Sequence, residues 1–122
     1  GYTKTFFGRR RYFEGLKSKI PYIKASAERM AINAPIQGTS ADIIKIAMKK
    51  IDNFILQNNL EKDVFLILQI HDELIYEIAD GLVEEIAPKI KEIMQNIIPL
   101  EKIYGVPIIV NSAVGQNWGE ME

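Results

Sequence analysis

Cysteine is absent from the 122-residue sequence, histidine occurs once, and no apolar run approaches the length of a membrane-spanning helix. Without cysteine there is no disulfide framework, and a single histidine makes a structural zinc site implausible. A spanning helix requires about 20 consecutive apolar residues, and no segment resembles a signal peptide. The sequence is 48% hydrophobic and 25% charged. We therefore expect one globular domain that is soluble and intracellular.

Charge is divided unevenly along the sequence. Residues 1–50 contain 11 Lys or Arg against 3 Asp or Glu, a balance of +8, whereas residues 51–122 contain 4 against 13, a balance of −9. The two parts together give the net charge of −1. The first part is a candidate surface for a polyanion. The second could hold metal ions or simply be solvated, so the asymmetry suggests nucleic acid without being specific to it.

The polar triplet His71-Asp72-Glu73 lies between two segments with the composition of β-strands. Residues 64–68 (VFLIL) are too few for a buried helix and rich in β-formers, which predicts an inner strand, and residues 74–78 (LIYEI) predict a second strand. A hairpin would lift Asp72 and Glu73 to the edge of a rigid sheet, where neighbouring carboxylates can hold a metal ion. The triplet alone favours the alternative of an ordinary polar turn, because Asp and Glu are common turn residues.

The first residues of the chain predict another hairpin. Residues 2–7 alternate polar with apolar or aromatic side chains, Gly8 permits a turn, and residues 11–13 can return as a short strand. Its tip carries Arg9, Arg10 and Arg11 among aromatic residues, which offers cations for phosphates beside rings that can stack. An equal alternative is that the rings form core and the arginines are solvated.

A helical pattern covers residues 21–59, but Pro35 and Gly38 interrupt it. Proline removes a backbone hydrogen bond and glycine weakens a helix, which predicts two helical segments with a break or strong kink near residues 33–38. Thr39 is then the expected N-cap of the second segment, and Asp42 would favour its N-terminal dipole.

Three polar side chains follow a helical spacing in the first segment. Arg29, Asn33 and Gln37 are separated by four residues each, which places them along one helix face if the geometry survives the kink. Small neighbours such as Ala27, Ala31 and Ala34 would let that face approach another surface. Arg, Asn and Gln donate hydrogen bonds to minor-groove acceptors and phosphates, although the pattern alone favours a solvated polar stripe.

The later elements predict the fold class. Apolar residues keep helical spacing in residues 44–55 and again in residues 83–97, which predicts two helices whose apolar faces form core. Residues 107–114 alternate as a last strand. The order is hairpin, broken helix, hairpin, helix, strand. This order predicts an α+β fold with a mainly antiparallel sheet, helices packed on one of its faces, and an N-terminal β-hairpin.

Several of these segments together resemble one protein family. The segments that carry the resemblance are residues 1–5 (GYTKT), 8–11 (GRRR), 28–39 (ERMAINAPIQGT), 69–77 (QIHDELIYE) and 114–118 (VGQNW). They closely resemble the C-terminal part of family A DNA polymerases, the bacterial polymerase I type. Because the segments extend from the first residue to Trp118, the resemblance covers essentially the whole chain.

The resemblance implies nucleotidyl transfer, in which the 3′ hydroxyl of a primer attacks the α-phosphate of a deoxynucleoside triphosphate (dNTP) and pyrophosphate leaves. Two Mg²⁺ ions in a complete site would neutralise the developing charge. By resemblance, Asp72 is a direct metal ligand and Glu73 an accessory carboxylate, and both are the catalytic candidates. His71 would lie near the primer terminus. The remaining DNA-binding candidates are Arg9, Arg10, Arg11, Arg29, Asn33 and Gln37.

The resemblance also implies partners outside these residues. Family members have an earlier aspartate-bearing palm segment and a fingers helix that grips the triphosphate, and neither is recognisable here. We therefore expect residues 1–20 to be a fingers hairpin and residues 21–122 the C-terminal portion of the palm. The expected partners are primer-template DNA, a dNTP bound mostly elsewhere and the rest of the polymerase chain, with no membrane. The expected location is the bacterial cytoplasm, with organellar or phage origin left open.

The expected parent enzyme is a DNA-directed DNA polymerase, of which the isolated chain is expected to be an inactive part. The alternative function is a non-catalytic nucleic-acid-binding module, using the basic first half and the Arg29, Asn33 and Gln37 face. In that case the triplet at residues 71–73 is only a turn. Dependence of metal binding on Asp72 separates the two hypotheses.

Overall fold

A computed structural model of the chain describes residues 1–103 and 105–121. Among them are the strands β1 (Tyr2–Lys4), β2 (Arg10–Tyr12), β3 (Val64–Ile70) and β4 (Glu73–Ile78), and the helices α1 (Pro21–Gln57) and α2 (Val83–Gln95). The strands form two antiparallel pairs, β1 with β2 and β3 with β4. The predicted α+β class is confirmed. None of the helices in the described part is long and apolar enough to cross a membrane.

The chain divides into two compact units, Gly1–Ile46 and Ala47–Glu122, with the boundary inside α1. The first unit contains the predicted N-terminal hairpin, in which Tyr2 pairs with Tyr12 and Lys4 with Arg10. Gly8 lies in the turn with φ of 90°, a conformation that glycine adopts without steric cost. The N-terminal hairpin is therefore confirmed, while the domain division at residues 20 and 21 stays a prediction.

Helix α1 is continuous, so the predicted separation into two helical segments is wrong. Pro35 lies inside it, and Thr39 is an interior helical residue rather than an N-cap. A helix-interior proline costs about 3 kcal/mol and a glycine about 1 kcal/mol relative to alanine. The hairpin offsets part of this cost, because it makes hydrogen bonds to Gly38, Thr39 and Asp42 just after the proline. Tertiary contacts thus override the local helix-breaking signal.

The second unit has its core where α1 and α2 meet the start of β3. The buried cluster contains Ile51 and Ile55 from α1, Val64 from β3, and Ile86 and Ile90 from α2. Ile51 is completely buried, and full burial of such a side chain contributes about 1.5 to 3 kcal/mol. The apolar residues with helical spacing are therefore core, as predicted. Helix α2 begins at Val83, after a 3₁₀ turn at Asp80–Leu82.

Strand β3 differs from the predicted inner strand. Within the described residues it pairs with β4 alone, and only Val64 of its seven residues is buried. The side chains of Phe65 and Ile67 are 49% and 56% exposed. An apolar run is buried only if other elements pack on both faces of the strand. In the described part of the chain, other residues cover β3 mainly at Val64, its first residue.

Residues 107–114 contain no strand, so the predicted last strand is wrong. The backbone N–H of Val110 instead donates a hydrogen bond to Oε1 of Gln95, at 3.1 Å, near the end of α2. Ile108 and Val110 are half-buried and Ile109 is exposed, so the apolar alternation persists. Alternation describes which side chains are covered, but a strand also needs a neighbouring backbone to pair with.

Candidate metal and nucleic-acid site

The triplet at residues 71–73 lies at the tip of the β3–β4 hairpin, as predicted. Ile70 pairs with Glu73, so His71 and Asp72 form a two-residue turn. His71 has φ of 51°, and positive φ at the first central residue alone is the pattern of a type II′ turn. Nε2 of Gln69 donates a hydrogen bond to the carbonyl oxygen of His71 at 2.8 Å. The backbone of the tip is therefore tied to the strand that leads into it.

Asp72 and Glu73 are both exposed at this tip. Because Asp72 is in the turn and Glu73 is the first residue of β4, the hairpin backbone holds their Cα atoms next to each other at one sheet edge. Hard carboxylate oxygens suit Mg²⁺, but an octahedral ion needs about six ligands. No group of three or more His, Cys, Asp or Glu side chains able to hold a metal ion occurs in residues 1–103 and 105–121. The pair can thus supply part of a coordination shell.

The polar row on α1 is intact because the helix is continuous. Arg29, Asn33 and Gln37 are all exposed and lie on successive turns of one face. Ile32 and Ile36, each 73% exposed, flank the row. A surface of this kind offers hydrogen-bond donors and a cation beside apolar contact area.

Of the three alanines near the row, two are buried and Ala31 is half-buried. Ala27 and Ala34 are 3% and 6% exposed, so they belong to the packed side of α1 and not to a surface that approaches a partner. A Cβ added at Gly15 would lie 2.9 Å from the Cβ of Ala27. The small side chains therefore allow close packing within the unit.

The three arginines of the N-terminal hairpin have different surroundings. The guanidinium carbon of Arg10 lies 4.7 Å from the ring centre of Tyr2, and that of Arg11 lies 5.0 Å from the ring centre of Phe13. These cation–π contacts orient the two side chains while leaving both residues exposed. Arg9 instead points its guanidinium at α1, where Nε donates to Oδ1 of Asp42 at 2.8 Å.

The carboxylate of Asp42 lies in surroundings that shift its pKa. Burial acts to raise its pKa, but hydrogen bonds from Thr5 and Arg9 and the positive charges of Arg9 and Lys45 outweigh burial and lower the pKa. Asp42 is 8% exposed, and its Oδ2 atom is buried without a hydrogen-bond partner. The hydrogen bond from Thr5 and the ion pair with Arg9 therefore stabilise the charged form of Asp42. The sequence pattern missed this pair because 33 positions separate its members.

The candidate residues belong to both compact units. Arg29, Asn33, Gln37 and the three arginines of the hairpin are in the first unit, and His71, Asp72 and Glu73 are in the second. The structure brings together the members of each group. The β3–β4 turn does this for the triplet, and the helical repeat does it for the polar row.

Comparison with known proteins decides the family. The sequence model described as DNA polymerase family A matches residues 1–120. The chain belongs to this family. It is 43% identical over 120 residues to DNA polymerase I of Pseudomonas aeruginosa, covering 98% of the chain and 12% of that protein. It is 42% identical over 120 residues to the thermostable DNA polymerase I of Thermus filiformis, covering 98% of the chain and 13% of that protein.

A solved structure gives the same assignment for this family A chain. The POL domain of Pol1 from M. smegmatis, in complex with DNA primer-template and dNTP, is 41% identical and superimposes with a TM-score of 0.89. The match covers 99% of this chain and 20% of that one. The predicted resemblance is confirmed. The chain spans about an eighth of the length of the curated relatives described above.

Proposed function

We propose that this chain supplies a metal-binding hairpin and a DNA-contacting helix to a template-directed DNA polymerase. The observation that carries the proposal is the exposed pair at the hairpin tip, Asp72 in the two-residue turn and Glu73 at the start of β4. The chain that carries it matches DNA polymerase family A over residues 1–120. The reaction is transfer of a nucleotidyl group from a dNTP to the 3′ hydroxyl of a primer, with release of pyrophosphate.

Asp72 and Glu73 would hold the divalent metal, with Asp72 as direct ligand and Glu73 as accessory carboxylate. When bound, Mg²⁺ ions in the complete site neutralise charge that develops on the transferred phosphoryl group. The chain itself supplies rigidity, because pairing of Ile70 with Glu73 and the Gln69 hydrogen bond to His71 restrict the turn. Because two carboxylates cannot complete two octahedral shells, the other ligands would come from the rest of the polymerase, from water and from phosphate.

Contact with primer-template DNA is assigned to the polar row on α1, to His71 and to Arg10 and Arg11 of the N-terminal hairpin. Exposed Arg29, Asn33 and Gln37 donate to minor-groove base acceptors or phosphates. The stacked guanidinium groups of Arg10 and Arg11 remain exposed and can contact phosphates. The M. smegmatis relative was solved with DNA primer-template and dNTP, which supports the same two ligands here.

The remaining parts of the proposal concern the whole enzyme. The dNTP is bound mostly by residues outside this chain, which include a fingers helix and a further aspartate. Residues 1–20 belong to the fingers and residues 21–122 to the palm, in an enzyme of the bacterial cytoplasm. Without those other groups the 122-residue chain has no template-directed activity of its own, because positioning and charge neutralisation are both incomplete.

Primer extension tests the proposal. In the complete polymerase that carries this segment, Asp72→Ala should nearly abolish incorporation while equilibrium affinity for labelled primer-template stays within a few-fold, since metal ligation acts on the transition state. Glu73→Ala should cost less. Asp80→Ala, which removes an exposed carboxylate from the 3₁₀ turn after β4, is the matched control and should keep normal turnover.

Two results would contradict the proposal. Near-normal turnover of the Asp72→Ala enzyme would remove the metal-ligand assignment and favour the non-catalytic nucleic-acid-binding module. Extension by the purified 122-residue chain with Mg²⁺ and all four dNTPs, lost on Asp72→Ala, would show that the other groups are not needed.

A further inference from the structure

Arg9 makes two hydrogen bonds to one short stretch of α1. Its Nε donates to Oδ1 of Asp42 at 2.8 Å, and its Nη2 donates to the carbonyl oxygen of Gly38 at 3.3 Å. The backbone N–H of Phe6 donates to Oγ1 of Thr39 at 2.9 Å beside them. Three hydrogen bonds thus join the hairpin to residues 38–42, little more than one turn of α1.

The fit at this attachment is close enough to require glycine. A Cβ added at Gly38 would lie 2.7 Å from Cγ2 of Thr5 and 3.3 Å from Nη2 of Arg9. Thr5 is 9% exposed and accepts hydrogen bonds at Oγ1 from the backbone N–H groups of Phe7 and Arg9, each at 3.2 Å. The turn of the hairpin is therefore ordered by the same threonine that contacts Gly38.

The attachment lies where α1 is intrinsically weakest. Pro35 has no N–H, so it cannot donate to the carbonyl oxygen of Ala31, and Gly38 adds backbone freedom to the same turn. Gln37 lies between them on the exposed face, next to the residue that Arg9 contacts. Arg29 lies eight residues earlier in the sequence, away from this weak turn.

We propose that Arg9 and Asp42 are positioning residues that hold Gln37 in place for contact with the minor groove at the primer end. This rests on the proposed function. Arg9 acts through Gly38 and Asp42 and not as a contact to a DNA phosphate, because its Nε and Nη2 groups donate to α1. Asp42 is needed as its counter-charge, since its carboxylate is buried and no other salt bridge to it occurs in the described part of the chain.

Discrimination against a mismatched primer end is the readout that separates positioning from phosphate contact. In the complete polymerase, Arg9→Gln and the near-isosteric Asp42→Asn should each raise mismatched extension relative to matched extension by about threefold or more, and the double variant should be no worse than either single variant. In an enzyme that already carries Gln37→Ala, adding Arg9→Gln should not change mismatch discrimination further. In an enzyme that carries Arg29→Ala, Arg9→Gln should still reduce it. Lys17→Gln, an exposed lysine in the same unit, is the control.

Salt dependence of primer-template binding is the second readout. The slope of log affinity against log salt should be the same in the Arg9→Gln enzyme as in the unsubstituted enzyme. If the slope of the Arg9→Gln enzyme were smaller in magnitude by about 1, and Asp42→Asn had no effect on discrimination, Arg9 would be a phosphate contact. That result would overturn the inference. Additive effects of Arg9→Gln and Gln37→Ala would overturn it as well.

Two further variants separate the inference from a loss of folding and from a failure of the proposed function. The charge-swapped enzyme with Arg9→Asp and Asp42→Arg should recover part of the lost discrimination against a mismatched primer end. If it recovers none, and the Asp42→Asn enzyme discriminates normally, Arg9 and Asp42 are not positioning residues. If the unsubstituted enzyme extends primers and loses that activity on Asp72→Ala, the proposed function stands whatever the Arg9 variants do. If the unsubstituted enzyme does not extend primers, or keeps that activity on Asp72→Ala, the proposed function is wrong and the inference that rests on it falls with it.

Discussion

The side-chain oxygen of Thr39 accepts a hydrogen bond from the backbone N–H of Phe6 at 2.9 Å, across 33 positions of sequence. Thr39 therefore attaches the N-terminal hairpin to the middle of α1 instead of starting a helix. Phe6 and Phe7 pack edge to face beside this bond, with ring centres 5.3 Å apart, and are 49% and 40% exposed. The hydrogen bond, and not burial of these rings, fixes the hairpin at this point.

Replacing Thr39 tests that attachment. Thr39→Val keeps the shape but removes the acceptor, so the backbone N–H of Phe6 loses its partner and the free energy of unfolding should fall by about 0.5 to 1.5 kcal/mol. Chemical denaturation of the 122-residue chain measures the change. Thr39→Ser keeps the hydroxyl and should recover most of the stability, and equal losses in the Val and Ser variants would show that the hydrogen bond contributes nothing.

Gly38 tests the close approach between the hairpin and the helix. Gly38→Ala should destabilise the chain by about 1 to 3 kcal/mol through overpacking, against the gain of about 1 kcal/mol that alanine normally gives in a helix. Gly81→Ala is the matched control, because nothing lies within 4 Å of an added Cβ there. A Gly38→Ala chain that is as stable as the parent, by denaturation, would mean that Thr5 moves aside without cost.

The polar row on α1 predicts separate effects on binding and catalysis. In the complete polymerase, Gln37→Ala and Arg29→Ala should weaken primer-template binding or raise mismatch extension, each by no more than about 1 to 3 kcal/mol, without removing metal binding. Gln57→Ala, an exposed glutamine at the end of the same helix, should have no effect. Unchanged affinity and unchanged mismatch extension in both variants would make the row a solvated stripe.

Tyr76 predicts a dependence of stability on alkaline pH. Burial, with a smaller contribution from the charge of Asp52, raises the pKa of Tyr76 from 10.0 to about 12. Because the folded pKa lies above the unfolded one, the stabilisation is complete below pH 10 and is lost as the pH rises towards 12. Tyr76→Phe should reduce the fall in the free energy of unfolding between pH 9.5 and about pH 11.5, whereas Tyr22→Phe, at a residue 74% exposed, should not.

Local sequence patterns predicted the two hairpins and much of the core. Gly8 and the triplet at residues 71–73 marked turns correctly, because turn geometry depends on a few neighbouring residues. Ile51, Ile55, Ile86 and Ile90 were predicted as core from helical spacing alone and are buried. The candidate metal and DNA residues came from local motifs and the family resemblance, and their roles stay predictions.

Only the tertiary structure decided the continuity of α1 and the partner of Arg9. Pro35 and Gly38 signal a helix break through local cost, but bonds from residues about 30 positions away hold the turn that contains them. No periodic pattern records such bonds. The exposure of β3 and the absence of a strand at residues 107–114 also depend on which other segments of the chain reach them. A run of apolar residues determines what a segment can bury, and the neighbours that actually reach it determine what it does bury.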